Sequence, residues 1–153
     1  ALRVNASLRK LVLQSNNIGF GGAIALGEAL WYNACLQELD LTDNNVRSEG
    51  TVALGEALHG NASIRVLGLR YNKIASEGAK ALGEALRFNI SLQELDLRGN
   101  CIGSQGADAL GEALQNNPPR ILFCWFWKRM GSGGMSVLGE ALKSNTSLQT
   151  LDL

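Results

Sequence analysis

The chain has 153 residues, 46% of them hydrophobic and 18% charged, and its fourteen basic and fourteen acidic side chains cancel. A balanced chain has no net field to draw in nucleic acid or an anionic membrane, and no apolar run approaches the roughly 18 residues of a membrane span. The length suits one domain. No charged-then-apolar leader resembles a signal peptide, and the odd cysteine set Cys35, Cys101 and Cys124 cannot pair completely within the chain. Reduced thiols in a cytoplasmic protein are the expectation.

A 28-residue pattern recurs without gaps, clearest at 92–119, LQELDLRGNCIGSQGADALGEALQNNPP. Full copies occupy 8–35, 36–63, 64–91, 92–119 and 120–147; residues 1–7 match the end of a copy and 148–153 its beginning. The chain reads as one array and as a stretch of a longer one. Repetition at this period means that each unit must bury its apolar side against its neighbours.

In the copy from Leu36, Leu39 and Leu41 alternate with Glu38, Asp40 and Thr42, the period-two pattern of a short strand with one buried face. Ser48 stands as a helix N-cap ahead of Glu49 and the apolar ladder Val52, Leu54, Ala57 and Leu58. Ser76 and Ser104 hold the same slot, and Asn61, Asn89 and Asn145 stand where a left-handed C-cap is expected. Gly27, Gly55, Gly83, Gly111 and Gly139 each sacrifice about 1 kcal/mol of helix propensity, so a close helix–helix contact is expected there.

The signature Leu-x-x-Leu-x-Leu-x-x-Asn-x-Ile, followed by Ala-Leu-Gly-Glu-Ala-Leu, resembles the leucine-rich repeat in its ribonuclease-inhibitor form, over the whole chain. The resemblance implies an α/β horseshoe segment, with parallel strands on a concave wall and helices outside. It also implies that Asn16, Asn44, Asn72 and Asn100 form an inward-facing amide ladder.

Several motifs have plainer explanations than chemistry. Asn5-Ala-Ser7, Asn61-Ala-Ser63, Asn89-Ile-Ser91 and Asn145-Thr-Ser147 fit the glycosylation pattern, but they recur because the repeat recurs. His59 is the only histidine, so no histidine triad or histidine metal cluster can be assembled. Gly19-Phe-Gly-Gly and Gly131-Ser-Gly-Gly lack the Gly-Lys-Ser/Thr of a phosphate loop. The row Glu28, Glu56, Glu84, Glu112 and Glu140 reads as a solvated face. No catalytic residue, cofactor or metal site is expected.

The fifth copy keeps register but not content: it begins RILFCWFWKRM, with Arg120, Phe123, Trp125 and Lys128 in place of three leucines and the ladder asparagine. Three readings stay open. Phe126 and Trp127 anchor a hydrophobic partner site; or the segment leaves the strand position and repacks; or compensating reading-frame slips scrambled residues 117–131.

A partner is expected on the concave wall, at Gln37, Glu38, Asp40, Asp43, Arg65, Arg70, Tyr71, Gln93, Glu94, Asp96 and Arg98, with Phe126 and Trp127 of the fifth copy. The expected function is recognition of a protein, as in the repeat region of nucleotide-binding leucine-rich-repeat receptors. The alternatives are a regulator of an enzyme, similar to ribonuclease inhibitor or the Ran GTPase-activating protein, and spacer repeats. Ends without caps expose core leucines, so self-association is expected.

Overall fold

The computed structural model describes residues 1–116, 122–124, 136, 139, 140, 143, 151 and 152. A short 3-10 turn, Leu2–Val4, leads into alternating strands and helices: β1 Lys10–Val12, α1 Gly19–Tyr32, β2 Glu38–Asp40, α2 Arg47–Gly60, β3 Val66–Gly68, α3 Ser76–Leu86, β4 Glu94–Asp96 and α4 Gly103–Asn116. Strands β5 Leu122–Cys124 and β6 Leu151–Asp152 extend the sheet. All neighbouring pairs are parallel, in sequence order. This is the expected leucine-rich-repeat solenoid, strands lining the inner wall and helices the outer one.

Register is set by leucine. Leu11, Leu39, Leu67 and Leu95 are matched along the ladder, and Phe123 takes the next place. Leu39, Leu67 and Leu95, like Leu41, Leu69 and Leu97 one pleat further on, are at most 2% exposed. Helix leucines Leu54, Leu82 and Leu110 meet them from the other side in one continuous core. Over 122–124 the backbone keeps the strand position. Arg120, Trp125 and Lys128 lie outside the described residues, as do Asn145 and the Gly131-Ser-Gly-Gly turn.

Gly27, Gly55 and Gly83 behave as their recurrence requires, whereas a Cβ on Gly139 would meet nothing within 4 Å among the described residues. A Cβ on Gly27, Gly55 or Gly83 would stand 2.7, 2.9 or 2.8 Å from the carbonyl oxygen of Ala53, Ala81 or Ala109 in the next helix. These contacts are to backbone, which cannot rotate away.

The amide ladder is present. Asn44 donates through Nδ2 to the carbonyls of Leu13 (2.8 Å), Leu41 (3.1 Å) and Thr42 (3.0 Å), and its Oδ1 accepts the N–H of Asn16 and of Ile18. Asn72 and Asn100 repeat the pattern one and two units on. Each asparagine therefore closes the turn of its own repeat and of the one before it, which is how these turns are satisfied without water.

Two local expectations are corrected. Ser48 is not an N-cap: α2 begins one residue earlier, after Val46, with no side-chain cap bond. The chain swings into the helix through a left-handed residue, Arg47 (φ 58°), as it does at Gly19 (66°) and Gly103 (70°). The N–H groups at this turn are taken by the neighbouring asparagine, Val46 donating to Asn72 Oδ1 and Arg47 to the Asn72 carbonyl. That leaves the serines free to join repeats: Ser48 Oγ accepts the Ala75 N–H at 3.1 Å, and Ser76 Oγ donates to the Ile102 carbonyl at 2.7 Å. Ser104 likewise stands inside α4, whose first residue is Gly103.

Asn61 is not a left-handed C-cap, its φ and ψ being −83° and 121°, and Asn33 is alike. They form a second amide ladder on the far side of the helices. Asn61 Nδ2 donates to the carbonyls of Leu30 and Asn33, and its Oδ1 accepts the N–H of Ser63 and Ile64; Asn89 does the same one repeat later. The Asn-x-Ser recurrence thus has a structural cause.

Candidate functional site: the concave wall

Side chains that point away from the leucine rows form the concave wall, and parallel register lines them up across repeats. One row runs Lys10, Glu38, Val66, Glu94; the next runs Val12, Asp40, Gly68, Asp96. Gly68 leaves a gap in the second row, since a Cβ there would stand 2.9 Å from Asp40 Oδ1. Glu38, Asp40, Glu94 and Asp96 therefore border one hollow of about 190 Å³, with Lys10 at its edge.

The carboxylates are held in different ways. Asp40 Oδ1 accepts the Thr42 N–H at 2.9 Å, an Asx turn that fixes its rotamer at the strand end. Asp96 accepts the Arg98 N–H and is gripped by the Arg98 guanidinium, with Nε 2.9 and 3.1 Å from its two oxygens. Lys10 Nζ meets Glu38 Oε2 at 2.7 Å. That hydrogen bond, then the Glu38 charge, raises the Lys10 pKa above its usual 10.5. Four carboxylates against one lysine and one arginine leave the middle of the wall acidic.

Beyond the strands lies a contrasting edge. Ser15, Asp43, Tyr71 and Gly99 share a left-handed conformation at successive repeats, which Gly adopts freely and a bulky residue rarely does. Tyr71 lies across Gly99, where a side chain would collide with its ring. The Arg70 guanidinium covers the Tyr71 ring at 4.7 Å and donates from Nη2 to its hydroxyl at 3.0 Å. Tyr71 is half exposed, while Arg70 Nε is buried with no acceptor. Asp43 is exposed and accepts a hydrogen bond from Ser15 Oγ at 3.0 Å.

The expected wall residues thus fall into separate groups. Glu38, Asp40, Glu94 and Asp96 share the hollow; Asp43, Arg70, Tyr71 and Arg98 lie at the C-terminal edge of the strands. Gln37, Arg65 and Gln93 are exposed at the opposite edge, where Gln37 and Arg65 border a separate depression with Trp31 and Asn61. Phe126 and Trp127 lie outside the described residues. Among the described residues no three potential metal ligands converge. Cys35 and Cys101 are free thiols.

One group escaped the sequence reading. Trp31, Tyr32, Phe88 and Ile90 stand exposed where the helices end, and His59 packs against Phe88 with ring centroids 4.8 Å apart and the planes tilted by 56°. The signal was in the repeat: Trp31, His59 and Arg87 share one slot, in a helix that otherwise hardly changes.

A buried leucine frame that presents variable side chains on a parallel wall defines a repeat-built binding scaffold. The leucine-rich repeat family model matches residues 4–27, 32–55, 60–83 and 88–111, more than half of the chain, and the chain belongs to that family. No curated protein matches the sequence. Among solved structures the chain is similar to leiomodin-1 actin-binding site 2, with a TM-score of 0.75 and 19% identity over 93% of this chain and 86% of that one. It is also similar to the Caenorhabditis elegans tropomodulin C-terminal domain, with a TM-score of 0.77 and 18% identity over 94% and 88% of the two chains. Likeness at that identity concerns the fold.

Proposed function

We propose that the chain is a protein-recognition module whose concave wall is its docking surface, and that it binds rather than catalyses. The observation that carries this reading is the contrast along each strand. In β2, β3 and β4 the central leucine is locked in the core, whereas just past the strands Asp43 and Tyr71 are exposed and Arg70 and Arg98 partly exposed beside an acidic hollow. Half-exposed tyrosine beside arginine is the composition of binding hot spots. The free thiols Cys35 and Cys101 suit a cytoplasmic setting. An array of this kind serves within a receptor or as a regulator of an enzyme by the same means, contact through the wall.

The test is a crosslinking pull-down from native extract, comparing the chain with a variant carrying alanine at Asp43, Arg70, Tyr71 and Arg98. A partner captured by the chain and lost by the variant supports the wall; equal capture by both removes it. Because one similar structure is an actin-binding site, filamentous actin is the first partner to try, by co-sedimentation.

A further inference from the structure

The outer surface carries an apolar groove that the concave reading leaves unused. Trp31 is 55% exposed at the end of α1, and Phe88, just past α3, is 61% exposed. Large apolar side chains gathered in water mark contact sites. The Trp31 indole reaches across the neighbouring repeat, its ring 3.8–4.0 Å from where Gly60 would carry a Cβ. With Val52, His59, Ala81 and Ala85 it lines a mainly apolar hollow of about 380 Å³ over α2 and α3. The same indole borders a second hollow of about 380 Å³ between α1 and α2. The floors are alanine and glycine, so both hollows are open to side chains from outside.

Charge decides what fits. Glu28 and Glu56 border the α1–α2 hollow, where Arg3 lies over the Tyr32 ring at 4.1 Å, and Glu56 and Glu84 border the α2–α3 hollow, so carboxylates outnumber the one arginine of the lining. Glu84 is met by Arg87 at 3.4 Å, whereas Glu28 and Glu56 have no ion-pair partner among the described residues. They occupy one slot of adjacent helices, whose axes lie about 8–10 Å apart. Seven residues of α-helix advance about 10.5 Å. A helix crossing α1 to α3 would bring basic residues at that spacing over successive carboxylates, and the apolar residues between them over Trp31.

We propose that this face docks an amphipathic α-helix of a protein partner, its apolar stripe against Trp31 and its lysine or arginine side chains on Glu28 and Glu56. An acidic helix is repelled by the carboxylate row, and a purely apolar one leaves it unpaired.

The experiment selects binders for the chain from a displayed library of random helical peptides. Enriched peptides should combine an apolar stripe with lysine or arginine at seven-residue spacing. Their affinity should fall about tenfold or more with Trp31→Ala, and likewise with Glu28→Lys plus Glu56→Lys. Glutamate in place of the peptide's basic residues should restore binding to the doubly charge-reversed chain. The substituted side chains are exposed, and thermal unfolding checks that each variant keeps its fold. Selection of uncharged or acidic peptides, binding indifferent to Trp31→Ala, or no enrichment overturns the proposal. Alanine at Asp43, Arg70, Tyr71 and Arg98 should leave these peptides bound, so the two surfaces fail independently.

Discussion

Asn72 accepts on its side-chain oxygen the backbone N–H of Asn44, the residue in its own place one repeat earlier, at 3.0 Å. The same oxygen takes the Val46 N–H at 3.1 Å, while Nδ2 donates to the Leu41 and Arg70 carbonyls. One fully buried amide thus holds two turns belonging to different repeats. Asn72→Ala should lower the unfolding free energy by about 1–3 kcal/mol through the backbone groups it strands. Asn16→Ala should do less, because that amide is exposed and its Nδ2 serves the Leu13 and Gln14 carbonyls of its own repeat. Urea denaturation of the two variants compares them directly.

Glycine-to-alanine substitutions should differ in sign along the array. In α1, a Cβ on Gly21 meets nothing within 4 Å, so Gly21→Ala should stabilise by about 0.5–1 kcal/mol. Gly55→Ala places its methyl 2.9 Å from the Ala81 carbonyl oxygen. Pushing two helices apart should outweigh the propensity gain and destabilise by roughly 1–3 kcal/mol. Thermal unfolding midpoints moving in opposite directions would confirm the contrast.

Gly99→Ala probes the concave edge without touching the leucine core. With φ at 72° and the Tyr71 ring lying across it, alanine is strained and must displace the ring. A loss of about 1 kcal/mol is expected, together with altered Tyr71 ring resonances in NMR. An unchanged ring environment would mean that Tyr71 is not seated there.

The Lys10–Glu38 pair predicts the direction of a pH effect. A pKa raised in the folded state means stabilisation that is complete below the unfolded value and lost as pH rises through the folded one. The small loss should therefore appear above about pH 10.5 and be smaller in Glu38→Gln, where of the two carboxylates only the Asp40 charge still raises the Lys10 pKa. Titration of the Lys10 side chain by NMR should show its pKa falling in that variant. Both groups are well exposed, so salt should weaken the effect.

Periodicity carried much of this structure. Leu39, Leu67 and Leu95 were assignable because a repeat of fixed length admits one register, and Asn44 only through the resemblance to leucine-rich repeats. Ser48 and Asn61 misled because capping preferences describe an isolated helix. Here the neighbouring repeat supplies the bonds, through Asn72 to Val46 at one end and through Asn61 to Leu30 at the other. Partner geometry across a gap of 26 to 31 residues is invisible to a local window. The grouping of Glu38, Asp40, Glu94 and Asp96 around Gly68 required the same cross-repeat view, as did the reach of Trp31 over Gly60.

Both amide ladders bridge fixed sequence separations, 28 residues from Asn16 to Asn44 and 28 again from Asn33 to Asn61. Loss or gain of a single residue within a repeat must be absorbed by a loop if both sets of bonds are to survive, whereas a whole added copy would find every partner in place. The array therefore grows most simply in complete units. Each unit adds one strand's width to the wall, leaving its outward side chains free to be replaced one at a time.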